Sequence, residues 1–391
     1  MLDTATIEFI TQHRNDDSRM LALQAKRYPG VDMREAVVQV EGWQAAKAKL
    51  PAWAAIEGII YPPRISMEQC SSEATALYKA SMVAGERLAD LTGGFGIDCS
   101  YMARSFSEAV YVERSELLCS IAKHNFELLG LGHISVVNAN SEDVLPTLEP
   151  VDWIFIDPAR RDGDGRKVVA LSDCEPDVTY LEELLLQKGR RVMVKCSPML
   201  DITAACSHLK CVEEVHVVAV NNECKELLLV LGGNATGDIP YHCVNITSTG
   251  MQSFTLGSKE RAATAVLCDA PGKYLYEPNA AIMKAGCHNA LTSLPGVAKL
   301  HPNSQLYTSD NLVVDFPGRT FRVERVCGFS KNELKWVQAL GKANIAVRNF
   351  PESVQQLRKR LKLSDGGESY IFATTLNDGS KVLVVCSKCV C

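Results

Sequence analysis

Apolar residues recur at three- and four-residue spacing through Thr4 to Thr11, Met20 to Lys26, Met33 to Ala48 and Ser71 to Ala84. That period predicts helices over residues 1–84, with Pro51 and the pair Pro62–Pro63 marking helix ends or turns. From Arg87 the pattern changes to short apolar runs that alternate with helical segments. Strands are predicted at Arg87 to Asp90, Ala109 to Val112, Ile134 to Val137, Trp153 to Ile156, Arg191 to Lys195, Val212 to Val220 and Glu226 to Leu231. Helices at Ile97 to Arg104, Glu116 to Leu129, Val178 to Gln187 and Ile202 to His208 fall between them. Such alternation forces parallel pairing with right-handed crossovers, hence a doubly wound α/β sheet of seven strands whose ligand crevice lies at the carboxyl ends of the strands. Only about five residues, around Val220 to Lys225, part the last two strands. That is too short for a crossover helix, so an antiparallel hairpin at one sheet edge is expected. Past Gly232, Gly233 and Gly237 the alternation stops. The expected division is a helical region (1–84), the doubly wound domain (85–235), a small α+β domain (236–317) and a second α+β domain (318–391).

Composition narrows the class without choosing a function. The 391 residues exceed the roughly 250 to 300 at which one core stops growing, in keeping with several domains. A net charge of −5 provides no global attraction for polyanions, so any nucleic-acid surface must be a local basic patch. No stretch approaches the roughly eighteen apolar residues of a membrane span, and the first twenty lack a signal-peptide core. Fifteen scattered cysteines without an export signal read as reduced thiols, which places the chain in the cytoplasm. Cys386, Cys389 and Cys391 form C-x-x-C-x-C, but no paired second set lies nearby and the histidines show no i, i+4 pairing, so no metal site is expected.

The strongest chemical signal is Arg87-Leu88-Ala89-Asp90-Leu91-Thr92-Gly93-Gly94-Phe95-Gly96-Ile97-Asp98. A strand delivers Asp90 to its carboxyl end, and Gly93, Gly94 and Gly96 let the backbone turn after Thr92 and come close to a ligand. About twenty residues on, Glu113 ends the next strand beside Arg114, where a carboxylate accepts the ribose hydroxyls of an adenosine. The glycines do not make the Gly-x-Gly-x-x-Gly that wraps a pyrophosphate, and Asp90 repels phosphate while suiting an amino-acid ammonium. An adenosine that carries an amino acid, S-adenosylmethionine (SAM), fits both features.

Weaker signals sit at the other strand ends. Asn140 and Asp143 come after the third strand, either near an adenine edge or as a helix N-cap with an acidic first turn. After the fourth strand come Asp157 and Pro158, a carboxylate for a substrate amine or the cofactor's amino-acid part and a backbone-fixing ring beside it. Arg160, Arg161, Arg166 and Lys167 then read as a substrate-side loop that offers phosphate contacts, or as a solvated charged loop. After the fifth strand, Lys195 and Ser197 shape the substrate pocket. Cys196 is either a nucleophile toward a pyrimidine ring or, the favoured reading, a small buried thiol.

Together with Glu68-Gln69-Cys70-Ser71-Ser72-Glu73 and Glu277-Pro278-Asn279-Ala280-Ala281-Ile282, these motifs resemble the class I SAM-dependent methyltransferases with a C-terminal THUMP-like domain, of the type with a small ferredoxin-like domain. The resemblance implies a Rossmann-like seven-stranded methyltransferase sheet closed by one antiparallel hairpin strand, with Gln69 and Ser71 on one wall of the cofactor pocket. It implies an α+β insert over about 240 to 317, a THUMP-like domain over about 318 to 391, and RNA as the substrate and partner. Asp157, Pro158 and Lys195 are then the residues expected nearest the transfer. A small-molecule or protein methyltransferase, or an RNA-binding protein with a non-catalytic SAM pocket, are the competing expectations.

Overall fold

The computed structural model describes residues 2–160, 170–233 and 237–389, without the side chain of Arg160. Arg161, Arg166, Lys167 and Cys391 therefore lie outside the described residues. The chain divides into two compact units, Met1–Glu213 with Leu228–Ala235, and Glu214–Leu227 with Thr236–Cys391.

The first unit opens with helices Thr4–His13, Ser18–Leu23 and Met33–Lys49, whose starts are fixed by aspartates. Asp3, Asp17 and Asp32 accept from the N–H groups of Thr6, Arg19 and Glu35, which satisfies donors that no preceding helical turn can reach. The helical region is continuous with the sheet domain through a common core. Leu50, Trp53, Tyr61, Met67 and Ala76 pack in it with Phe95, Ile97, Tyr101 and Ile121. Trp53 meets Phe95 edge-on at 5.1 Å between ring centroids, so the helices brace the glycine loop from below.

Five parallel strands come next: β1 (Arg87–Asp90), β2 (Glu108–Glu113), β3 (Ile134–Asn138), β4 (Val151–Ile156) and β5 (Gly189–Cys196), in the order β5-β4-β1-β2-β3. Ile154, Ile156, Val192, Met193 and Val194 are wholly buried, the near-continuous apolar run of strands covered on both faces. The hairpin of β6 (Val212–Val220) and β7 (Glu223–Gly232) passes from the first unit into the second and back. Its turn is shorter than the expected gap of about five residues. Asn221 and Asn222 alone make it, both left-handed (φ 49° and 65°), as a two-residue turn matched to strand twist demands.

In the second unit the hairpin is not an edge. The strand β8 (Tyr241–Thr247) runs parallel to β6 in the register Tyr241↔Val215 to Ile246↔Val220, and β9 (Gly250–Leu256) pairs antiparallel with β8. The expected seven strands are thus joined by two more. Buried Asn245 helps fix this addition: its Oδ1 accepts the Asn222 N–H at 2.8 Å and its amide donates to Gln252 at 3.0 Å. A second sheet contains β10 (Tyr274–Pro278), β11 (Tyr307–Ser309), β12 (Gly318–Cys327), β13 (Asn344–Arg348), β14 (Ser369–Thr375) and β15 (Lys381–Lys388). Its order is Ala298–Lys299, then β11-β10-β12-β15-β14-β13. The Glu277-Pro278-Asn279 motif has a structural job here. The buried Glu277 carboxylate accepts from Arg319 and Arg348, and Asn279 caps the helix Ala280–Ala285 through the N–H groups of Ala281 and Ile282. Gly318 is required opposite, because a Cβ there would lie 2.1 Å from the Glu277 carbonyl oxygen.

Candidate functional site

In the first unit, a cavity of about 390 Å³ opens at the carboxyl ends of β1, β2, β4 and β5, within the size range of small-molecule sites. Gln69, Ser71, Thr92, Gly93, Gly94, Gly96, Glu113, Arg114, Asn140, Asp157 and Lys195 all line it. The three glycines of the loop meet two kinds of surroundings. A Cβ on Gly93 would sit 2.1 Å from the Tyr111 ring, and one on Gly96 would sit 2.9 Å from Phe126, so both are small because aromatic rings pack beneath the loop. Gly94 alone faces open space, left-handed at φ +54°, with Thr92 O at 3.9 Å the nearest atom to an added Cβ. Of the three, Gly94 is the one whose surroundings leave room beside the backbone.

Glu113 pins the loop while keeping acceptor capacity. Gly94 N–H donates to its Oε2 at 2.9 Å and Ser115 N–H to its Oε1 at 2.8 Å. Each carboxylate oxygen retains a further lone pair for a ribose hydroxyl. Tyr111 secures the same turn from the other side, its hydroxyl donating to Gly94 O at 2.5 Å. Asn140 occupies the N-cap position of Ser141–Val144 without capping it, and its amide donates instead to Asp143 at 3.2 Å. Asp143 itself does not line the cavity, whereas Ser141 and Glu142 do.

Asp90 departs from its expected role. It is 1% exposed and absent from the cavity wall, and its Oδ1 accepts the Thr92 N–H at 3.0 Å. Burial raises its carboxyl well above the ordinary range, the Thr92 N–H opposes that, and Asp98, Asp157 and Glu113 push it further up. It braces the turn from inside the fold. Pro158 also lies outside the cavity wall, since the chain turns Asp157 and Ala159 toward it.

Asp98, quoted in the motif but given no role by sequence reasoning, does line the cavity. Its Oδ2 accepts the Ser71 hydroxyl at 2.7 Å and lies 3.8 Å from Lys195 Nζ, while Oδ1 lies 3.2 Å from Lys79 Nζ. Lys195 Nζ also donates to Asp157 Oδ2 at 2.5 Å. Lys79, Asp98, Lys195 and Asp157 thus form a row of alternating sign, of which Asp98, Lys195 and Asp157 line the cavity and Lys79 lies buried behind it. Burial would raise the Asp98 carboxyl, but Lys79 and Lys195, with the Ser71 hydroxyl, hold it below the usual value. Asp98 Oδ1 is buried, with the Lys79 ammonium as its ion-pair partner. Lys79 was missed, although a signal existed: on helix Glu73–Met82 the buried face is Thr75, Ala76 and Lys79, a charged residue in an apolar row.

Cys196 is 7% exposed, absent from the cavity wall, and its thiol is pushed up by burial and the Asp157 charge. That is the environment of an inert thiol rather than an activated one. Glu175 and Pro176 complete the rim near Arg114, whose Nη1 lies 3.6 Å from Glu175 Oε2. Among the described residues no helix is long and apolar enough to cross a membrane.

Residues 274–317 match a ferredoxin-like domain family, and residues 318–388 match a THUMP domain-like family. An uncharacterised SAM-dependent methyltransferase of Mycobacterium tuberculosis is 26% identical over 318 residues, which cover 81% of this chain and 84% of that protein. A crystal structure from Porphyromonas gingivalis, assigned as a methyltransferase, is 35% identical with a TM-score of 0.89 over 100% of both chains.

Proposed function

Because the chain belongs to the SAM-dependent methyltransferases that carry C-terminal ferredoxin-like and THUMP-like domains, we propose that its substrate is RNA and that residues 318–388 dock it through phosphate contacts. When bound, SAM supplies an electrophilic methyl group on its sulfonium. The cavity residues fit it: Glu113 for the ribose hydroxyls, Gly94 for close backbone approach, and Asp98 for the ammonium of the amino-acid part. Asp157 sits at the mouth, 37% exposed, held by Lys195 and by its own N–H to Thr92 Oγ1 at 2.6 Å. In this reading it accepts a hydrogen bond from the group to be methylated and aligns it, since displacement at a methyl group depends on alignment more than on acid catalysis.

The observation that carries the RNA reading is the THUMP-like match, supported by a local excess of charge. Residues 318–391 hold thirteen lysines and arginines against six acids in a chain of net charge −5. The structure refines which of them are available. Arg348 is engaged by Glu277, Arg358 by Asp365 at 2.5 Å and the Ala343 carbonyl, and Arg360 by Glu352 at 2.6 Å. Lys359 and Lys362, at the end of helix Val354–Leu361, are exposed. RNA affinity is expected to fall steeply with salt, and Lys359→Gln with Lys362→Gln to reduce the log–log slope by about one per lost phosphate contact. Cofactor affinity should not change. Labelled-methyl transfer from SAM to total RNA tests the reading directly. Absent transfer, together with RNA affinity indifferent to salt and to these lysines, would leave a protein or small molecule as substrate.

Cys196→Ser is expected to retain most of its transfer activity. Mass spectrometry of a 5-fluoropyrimidine RNA adduct, formed by wild type and lost in the variant, would instead make Cys196 the nucleophile of a carbon methylation.

A further inference from the structure

Strand periodicity sets Glu214 and His216 on one face of β6, two residues apart, while Glu213 points the other way to Arg191. The parallel register then places His242 of β8 directly opposite His216. The outcome is a cluster of three metal-ligating side chains, whose ligand atoms all lie within 4.8 Å of one another. His216 Nε2 is 3.1 Å and His242 Nε2 3.8 Å from the same Glu214 Oε2, and the rings stack at 4.5 Å. Bonds of about 2.0–2.2 Å to a tetrahedral zinc ion put donor atoms roughly 3.3 Å apart, so the observed spacing brackets what such an ion requires.

We propose that Glu214, His216 and His242 bind one divalent ion of the zinc class, with a fourth position open to water. Two further observations point the same way. His242 Nδ1 lies 3.0 Å from Thr255 Oγ1 on β9, the outer hydrogen bond that orients a ligating imidazole and leaves Nε2 as the donor to metal. The His216 side chain is 8% exposed, whereas Glu214 and His242 are 29% and 27% exposed, so one side of the cluster reaches solvent. The donor set contains no thiolate and offers three protein ligands, as sites that keep a water ligand do. Neither histidine lines the cofactor cavity. The ion ties β6 to β8 inside the second unit. The expectation of no metal rested on helical i, i+4 pairs and cysteine sets, and a Glu-x-His strand pair completed by a histidine 26 residues later fits neither template.

The test uses the full-length protein stripped with a chelator and titrated with zinc chloride in a calorimeter, with thermal melting read in parallel. Wild type is expected to bind one equivalent and to melt higher when loaded. His242→Ala and Glu214→Gln should lose that equivalent, and Thr255→Val should weaken it about 10- to 100-fold. His216→Ala, at the most buried of the three, is judged by the same readouts only where its far-UV spectrum is native; the other three variants stand without it. Cobalt substitution separates this site from adventitious binding by the cysteines, because an imidazole and carboxylate site shows d–d bands without thiolate charge transfer. No bound equivalent in wild type, an equivalent retained in both His242→Ala and Glu214→Gln, or a thiolate band that survives in those variants would each overturn the proposal.

Discussion

Gly94→Val is expected to abolish measurable SAM binding in calorimetry while the protein stays folded. The substitution acts twice at one position. A β-branched residue forced into φ +54° is strained by about 1–3 kcal/mol, and its side chain occupies the open space that the ligand needs. Gly94→Asn separates the two effects, since asparagine tolerates the left-handed region but still fills the cavity. Glu113→Ala should weaken binding by about 1 to 3 kcal/mol, the loss of a charged hydrogen-bond partner. The neighbouring glycines should behave differently. Gly93→Ala and Gly96→Ala collide with Tyr111 and Phe126, so their loss should appear first in urea unfolding. If Gly94→Val and Glu113→Ala both bind SAM with unchanged affinity, the cavity at the strand ends is not the cofactor site.

The contrast among these glycines shows where sequence reading stops. The alternation of strand and helix from Arg87 to Gly232 was legible because the central parallel strands are buried on both faces and read as short apolar runs, as Val151–Ile156 and Gly189–Cys196 do. The glycine loop was legible as a loop. Which glycine faces ligand and which faces a ring was not, because that depends on Tyr111 and Phe126, 15 to 33 residues away. The different surroundings of Asp90 and Asp98 were hidden for a similar reason. A carboxylate at a strand end can turn inward to the Thr92 N–H, and only the buried Lys79 from an earlier helix reveals Asp98 as the charged one. The strands at Tyr241–Thr247 and Gly250–Leu256 were read only as part of a mixed segment. His242 and Asn245 interrupt the apolar pattern, and both are satisfied by partners on other strands. The Asn221-Asn222 turn carried a usable signal, two residues that accept positive φ, but the second strand begins at Glu223, three residues before the expected Glu226.

Asp98→Ala is expected to be the most destabilising single change in the site. Lys79 is fully buried, and Asp98 supplies a carboxylate 3.2 Å from its ammonium. Removing one partner of a buried ion pair costs about 3–5 kcal/mol, because the other charge stays desolvated while this attraction is lost. Lys195 and the Ser71 hydroxyl lose a partner in the same step, so SAM affinity should fall as well. The pH dependence gives a sharper check. Asp98 has a folded pKa below its ordinary value of 3.8. Its contribution is therefore complete above that value and is lost as pH falls through the lower, folded one. Urea unfolding should show wild type well ahead of Asp98→Asn at neutral pH, with the gap closing only under strongly acidic conditions. Adding Lys79→Met to Asp98→Asn should restore part of the loss, since the buried charge leaves with the lysine. If Asp98→Ala unfolds within about 1 kcal/mol of wild type, the alternating row of Lys79, Asp98, Lys195 and Asp157 does not hold the pocket together.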